Sequence, residues 1–186
     1  MSSPPHLDRR LFLRRSAQLA VMGAAAPLAA QQALASGPGA RSLALDHTHT
    51  GERLALVYAV GEQYVSDALS TLNRFLRDHY SGEVGVIDPR LFDLLHWIKA
   101  ELGVQQSFQV ISGYRSPTTN QTLRTTRGGG VAAHSLHMDG RAIDIRVPGV
   151  PLADLRDAAL SLRVGGVGYY PREQFVHVDT GRVRNW

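Results

Sequence analysis

Two side chains able to share a metal ion stand in the stretch SLHMDGRAIDIRV, residues 135 to 147, where His137 and Asp144 lie seven positions apart around Gly140 and Ala142. A catalytic zinc takes three protein donors, nitrogen or carboxylate oxygen, and leaves a fourth position to water or substrate. Ala142 shares a strand face with Asp144, because strand side chains repeat every second residue, and its methyl group leaves space there. Gly140 lets the chain turn tightly between the two donors. The third donor has to come from elsewhere. His177 in FVHVD is the candidate, with Asp179 on its own strand face. Matching H-x-x-G-x-A-x-D at four fixed places is about a one-in-a-thousand accident at average residue usage. His47 and His49 also alternate like a metal pair, but with no third partner nearby they read as hydrogen-bonded strand residues.

The elements that must hold these groups follow from periodicity. RLALVYAV (53–60) reads as an early strand. In YVSDALSTLNRFLRDHY, Val65, Ala68, Leu69, Leu72, Phe75 and Leu76 recur at helical spacing, with Ser66 as the cap. Asp88-Pro89 announces a second helix that runs to a stop at Gly103. SFQVIS (107–112) reads as a short buried strand ending in the turn-rich GYRSPTTN, and QTLRTTRGGGVAA, with glycines at 128 to 130, as a mobile loop. AIDIRV is a strand by alternation, PLADLRDAALSLR a helix opened by proline, and QFVHVDTG a last strand stopped at Gly181. Gly165-Gly166-Val167-Gly168 follows a helix and leads into YYP, so it is the tight approach to that last strand and not a phosphate cradle. Helices come first and strands spread through the second half without a βαβ rhythm, which predicts an α+β fold with an antiparallel sheet backed by helices.

At 186 residues there is room for one domain and a tail. The net charge of +4 points toward nucleic acid until its location is considered: Arg9, Arg10, Arg14 and Arg15 all precede residue 16, and without residues 1–35 there are 16 basic and 15 acidic residues. No nucleic-acid partner is therefore expected. Residues 1–35 pair Arg9-Arg10 with Phe12 and Leu13, continue into a modest alanine-rich apolar run, and end in Ala33-Leu34-Ala35. They resemble a twin-arginine export signal. Gln18, Gly23 and Pro27 interrupt the run, which falls short of the roughly 20 clean residues of a membrane span. Residues 36–45, SGPGARSLAL, read as a linker and 46–186 as the folded domain. The absence of cysteine excludes disulfides, a thiol nucleophile and a thiolate-ligated metal, so any metal is held by His, Asp or Glu.

Ser135, His137, Gly140, Ala142 and Asp144, followed by His177, resemble the S-x-H-x-x-G-x-A-x-D plus distal His pattern of the lysostaphin, D-Ala-D-Ala peptidase and hedgehog group of zinc peptidases. The similarity is closest to the YcbK-like murein endopeptidase K family, and extends from HTHTGE at 47 through LRDHY, SGYRSPTTN and GGVGYYP to FVHVDTGRVRNW. The resemblance implies a hedgehog/DD-peptidase fold, one zinc ion on His137, Asp144 and His177, and cleavage of peptide cross-links in peptidoglycan. It also implies that Arg115 of SGYRSP holds a substrate carbonyl or carboxylate, as suits a guanidinium fork. Ser135 would contact substrate or support His137, and Tyr169 or Tyr170, the latter as the substrate contact, would line the groove.

Many members of the wider group carry an acid three residues before the last zinc histidine, where this chain has Gln174, which takes no proton. The base is then Asp179, on the face of His177, or Glu173, redirected by a turn, or His134. Three functions stay open: a periplasmic peptidoglycan endopeptidase, a zinc carboxypeptidase trimming stem peptides, and a wall-binding module that has lost its base. The expected partners are peptidoglycan stem peptides and the twin-arginine export machinery, with the protein itself a monomer.

Overall fold

The computed structural model describes residues 37–126 and 131–186. Residues 1–35, expected as an export signal, and the glycines at 128 to 130 lie outside the described residues. One eight-stranded sheet carries the fold: β1 (Ala40–His47), β2 (Arg53–Val60), β3 (Gln63–Tyr64), β4 (Phe108–Ser112), β5 (Ala142–Arg146), β6 (Gly166–Tyr170), β7 (Phe175–Asp179) and β8 (Arg184–Asn185), in the order β3-β2-β1-β4-β5-β7-β6-β8. The helices are α1 (Ser66–Phe75), α2 (Pro89–Leu102), α3 (Pro117–Thr126) and α4 (Leu152–Leu162).

The α+β class stands, but the sheet is mixed. β1 runs parallel to β4 and β8 parallel to β6, while the other pairs are antiparallel. β1 and β4 run parallel because β2, β3, α1 and α2 intervene, a connection long enough to return the chain in the same direction, and β8 runs parallel to β6 because β7 carries the chain back between them. The linker reading of 36–45 also needs correction, since β1 begins at Ala40. Leu43, Leu45 and His47 alternate into the interior, a period that the preceding Gly-Pro-Gly obscures.

Apolar side chains of one face explain how the helices cover the sheet. Ile143 and Ile145 of β5, Val176 and Val178 of β7, and Val110 of β4 join one core with Leu91, Leu95 and Ile98 of α2 and Leu155 of α4. α2 opens as its sequence demands: the Asp88 side chain accepts from Arg90 N at the cap, Pro89 occupies the first turn, and Gly103 ends it at φ 65°. α1 starts differently from expectation, with Val65 as the N-cap residue and Ser66 already helical without a side-chain cap bond. Across the sheet, Asp93 of α2 is buried and ties three strands together. It accepts from Arg41 of β1, from Tyr58 of β2 at 2.9 Å and from Tyr64 of β3 at 2.5 Å. Burial and this carboxylate hold the Tyr58 hydroxyl protonated far above its ordinary range, and push Tyr64 up to about 12.

Two further departures matter for the site. The polar stretch expected as loop contains α3, opened at Pro117 after Ser116, whose hydroxyl accepts from Thr119 N at 3.2 Å. FVHVD is not the last strand, because the chain returns as β8 along the outer side of β6. GVGYY is itself a strand, β6, rather than an approach to one.

Candidate metal centre and catalytic groove

The ordinary geometry of paired strands brings the three predicted donors together. Asp144 of β5 and His177 of β7 are directly opposite in the ladder, and His137 comes from the turn that leads into β5. Gly140 makes that turn at φ 64°, and a Cβ there would stand 2.0 Å from the Val86 carbonyl oxygen. His137 Nε2, Asp144 Oδ1 and His177 Nδ1 form a triangle with edges of 2.9, 3.2 and 3.3 Å. All three residues are buried, and among the described residues they form the one group of His and carboxylate donors close enough to share a metal ion.

The donor set fits zinc. Metal bonds of about 2.0–2.2 Å from nitrogen and oxygen reach three atoms so spaced at once. The tautomers are set from behind: His137 Nδ1 donates to the Gly113 carbonyl at 2.7 Å, and His177 Nε2 to Asp179 Oδ2 at 3.2 Å, so each ring turns its other nitrogen toward the shared point. The surroundings also call for positive charge. Burial opposes a charged imidazole at His177, but its bonds to Asp144 and Asp179 outweigh it and push the group up to about 9. Burial likewise opposes the charged form of Asp144, yet His137 and His177 hold its carboxyl well below the usual range.

Asp179 occupies a place that does not suit a base. It is 0% exposed. Oδ1 accepts from Gly166 N at 3.0 Å, Gly181 N at 2.7 Å and Arg184 Nη1 at 3.2 Å, while Oδ2 accepts from His177 and from Arg184 Nη2 at 2.7 Å. Burial opposes its ionisation, but these bonds keep its carboxyl well below the usual range. A carboxylate with both oxygens engaged behind the imidazole has no route to a reacting water.

Glu173 stands differently. Gln174 takes the left-handed conformation, φ 60°, and its side chain bonds back to the Pro171 carbonyl, so the backbone turns just before β7. Glu173 thereby lines the same cavity as the three donors. His134 also lines it, but is paired with Asp139 at 3.1 Å. Of the other carboxylates lining the cavity, Asp144 belongs to the donor set and Asp78 is buried. Asp78 accepts from Tyr80 N, Ser81 N and Ser116 N, and so fixes the segment that carries Arg115.

The cavity measures about 570 Å³ and crosses the sheet. His49 and His79 line the β1 side, the donors lie on the central strands, and Tyr170 and Trp186 line the β6–β8 side. Arg115 and Ser135 both line it, with Arg115 Nη1 3.5 Å from Asn120 Oδ1.

The family model of the peptidoglycan L,D-endopeptidase MepK matches residues 35–186. The chain belongs to this family. A peptidoglycan L,D-endopeptidase MepK of Escherichia coli (strain K12) is 46% identical over 151 residues, 81% of this chain and 82% of the relative, and that of Shigella flexneri matches equally. A probable peptidoglycan L,D-endopeptidase MepK of Haemophilus influenzae is 42% identical over 155 residues, 83% of each chain. The MepK match takes in β1 and β8, so both strands that the linker and last-strand readings overlooked lie within the matched residues.

Three features of the site escaped the sequence reading. His79 joins His47 and His49: its ring stacks on His49 at 4.1 Å and 3°, and meets His47 edge-on at 5.7 Å. His47 Nδ1 is 3.3 Å from His49 N and 3.5 Å from Thr50 N, and in accepting from them it leaves the proton on Nε2, so that ring is not set for a metal. Arg184 and Trp186 are the others. Arg184 lies 4.7 Å from the Trp186 ring centre, and the indole N–H donates to Tyr170 Oη at 2.7 Å. Only the glycine spacing of GGVG hinted at them: a Cβ at Gly166 would meet Arg184 Nη1 at 2.3 Å, and one at Gly168 the indole at 2.7 Å.

Proposed function

We propose that this protein is a zinc-dependent peptidoglycan endopeptidase that hydrolyses an L,D-peptide bond within cross-links of the cell wall. The observation that carries the reading is the buried triangle of His137, Asp144 and His177, open toward a groove that continues on both sides of it. Relatives named L,D-endopeptidases supply the bond type. A groove crossing the sheet on both sides of the donors favours cutting within a chain over trimming a terminal residue, which needs one end closed.

When bound, zinc lowers the pKa of a water and polarises the scissile carbonyl. His137, Asp144 and His177 hold the ion. Glu173 accepts the proton of the attacking water and later gives it to the leaving amine, the two-step duty of a general base in amide hydrolysis. Arg115 offers its guanidinium to the substrate carbonyl or to a stem-peptide carboxylate. Ser135 and Tyr170 contact substrate along the groove walls. Asp179 positions His177 and takes no proton.

Arg9-Arg10 and the apolar run behind them support export through the twin-arginine pathway to the periplasm, where the cross-links are. Metal content tests the reading. The purified chain is expected to carry one zinc, to release cleaved fragments from cross-linked peptidoglycan, and to stop after chelation. A full zinc complement retained in His177→Ala would remove that residue from the centre.

A further inference from the structure

The guanidinium of Arg184 reaches the metal centre through one intermediary. It makes two bonds to Asp179, 3.2 Å to Oδ1 and 2.7 Å to Oδ2, and Asp179 Oδ2 is in turn 3.2 Å from His177 Nε2. The pair is enclosed: Asp179 is fully buried, Arg184 is two-thirds covered, and Trp186 lies against the guanidinium. In a dry environment a bidentate charge-assisted bond fixes a carboxylate in plane and position. The backbone leaves room for it, since any side chain at Gly166 would collide with both Arg184 Nη1 and Asp179 Oδ2. The parallel pairing of β8 with β6 holds the arginine in register, with Gly166 opposite Arg184.

We propose that Arg184 is a positioning residue of the zinc centre, orienting His177 by clamping Asp179 from the side away from the metal. The proposal rests on His137, Asp144 and His177 being the zinc ligands. Without the clamp, Asp179 keeps its bonds from Gly166 N and Gly181 N on Oδ1, but Oδ2, the oxygen that meets His177, loses its second donor. The imidazole then loses the fixed partner that selects Nδ1 for the metal.

The test is zinc affinity of the full chain, measured by competition with a chromophoric chelator. Arg184→Ala is expected to bind zinc about 10- to 100-fold more weakly than wild type, the usual effect of removing an outer partner of a metal ligand. Arg184→Lys, which restores charge but not the fork, should recover part of that loss, and Arg182→Ala, an exposed neighbour, none of it because it loses none. In nitrogen-15 spectra the His177 Nε2 proton should sharpen in wild type and broaden in Arg184→Ala. Wild-type affinity in a folded Arg184→Ala, with an unchanged His177 signal, overturns the proposal. If Arg184→Ala does not fold, Arg184→Lys decides it: affinity equal to wild type counts against the fork, a reduced affinity with unchanged thermal midpoint supports it. Failure of the wild-type chain to bind zinc at all would instead remove the ligand assignment on which the proposal rests.

Discussion

Two carboxylates compete for the role of base, and their surroundings separate them. Asp179 shares a strand face with His177, so alternation alone recommends it, but a fully buried group with five bonds to its two oxygens serves as an anchor. Glu173 lacks that regular relation because Gln174 reverses the local backbone, and the same reversal turns it to the groove. The two substitutions should therefore fail differently. Glu173→Gln is expected to lower kcat by about 10²–10⁴-fold with zinc affinity retained. Asp179→Asn is expected to weaken zinc binding by about 10- to 100-fold, with its activity loss largely recovered at high zinc. Chelator competition and steady-state rates on the same preparations check both, and a Glu173→Gln enzyme with wild-type turnover would return the role to His134. The ligands themselves were legible because strand pairing preserves spacing. Glu173 was legible only as an alternative that needs a turn, because one residue at positive φ breaks the alternation that a sequence reading has to assume.

At the scale of elements, β1 shows what composition conceals. Its first residues look like linker, yet Leu43, Leu45 and His47 point inward and His47 is 2% exposed. Burial, then the nearby His79 and His49, lowers the His47 pKa from 6.5 to about 4. The unfolded chain thus binds a proton near pH 6.5 that the folded chain refuses until near pH 4, so this group costs stability progressively as pH falls through that window and nothing above it. The difference amounts to about 3 kcal/mol at the low end. Denaturant unfolding at pH 7.5 and pH 4.5 should show a steeper loss for wild type than for His47→Asn, whose amide oxygen can still accept from His49 N and Thr50 N. Asp93 fastens the other edge of the sheet. Asp93→Ala strands the Arg41 charge and the buried Tyr58 hydroxyl and removes the partner of the more exposed Tyr64, and should destabilise the fold by about 3–5 kcal/mol, read as a lower denaturation midpoint. Strong periodic segments such as α2 and β7 were legible from the sequence in both type and place. α3 was not, since Thr119, Asn120 and Leu123 bury a largely polar helix whose pattern carries little apolar contrast.

Across the whole molecule, one mixed sheet does three things: it pairs Asp144 with His177, it seats Arg184 and Trp186 on the glycines of β6, and it lays an open groove over its central strands. The seat of Arg184 depends on β8 pairing in parallel with β6 across the intervening β7, a contact that no local pattern announces. That is why the metal ligands could be named from SLHMDGRAIDIRV and FVHVD while the clamp behind them could not. On the function proposed above, the groove places a cross-link across the metal centre and the chain cuts within it. Zinc-loaded protein incubated with purified cross-linked muropeptide dimers, with products identified by mass, tests this most directly. Two monomers with new termini at an L,D bond of the bridge are expected, and none after chelation. An intact dimer despite verified zinc occupancy, or a dimer shortened by single terminal residues, would contradict it.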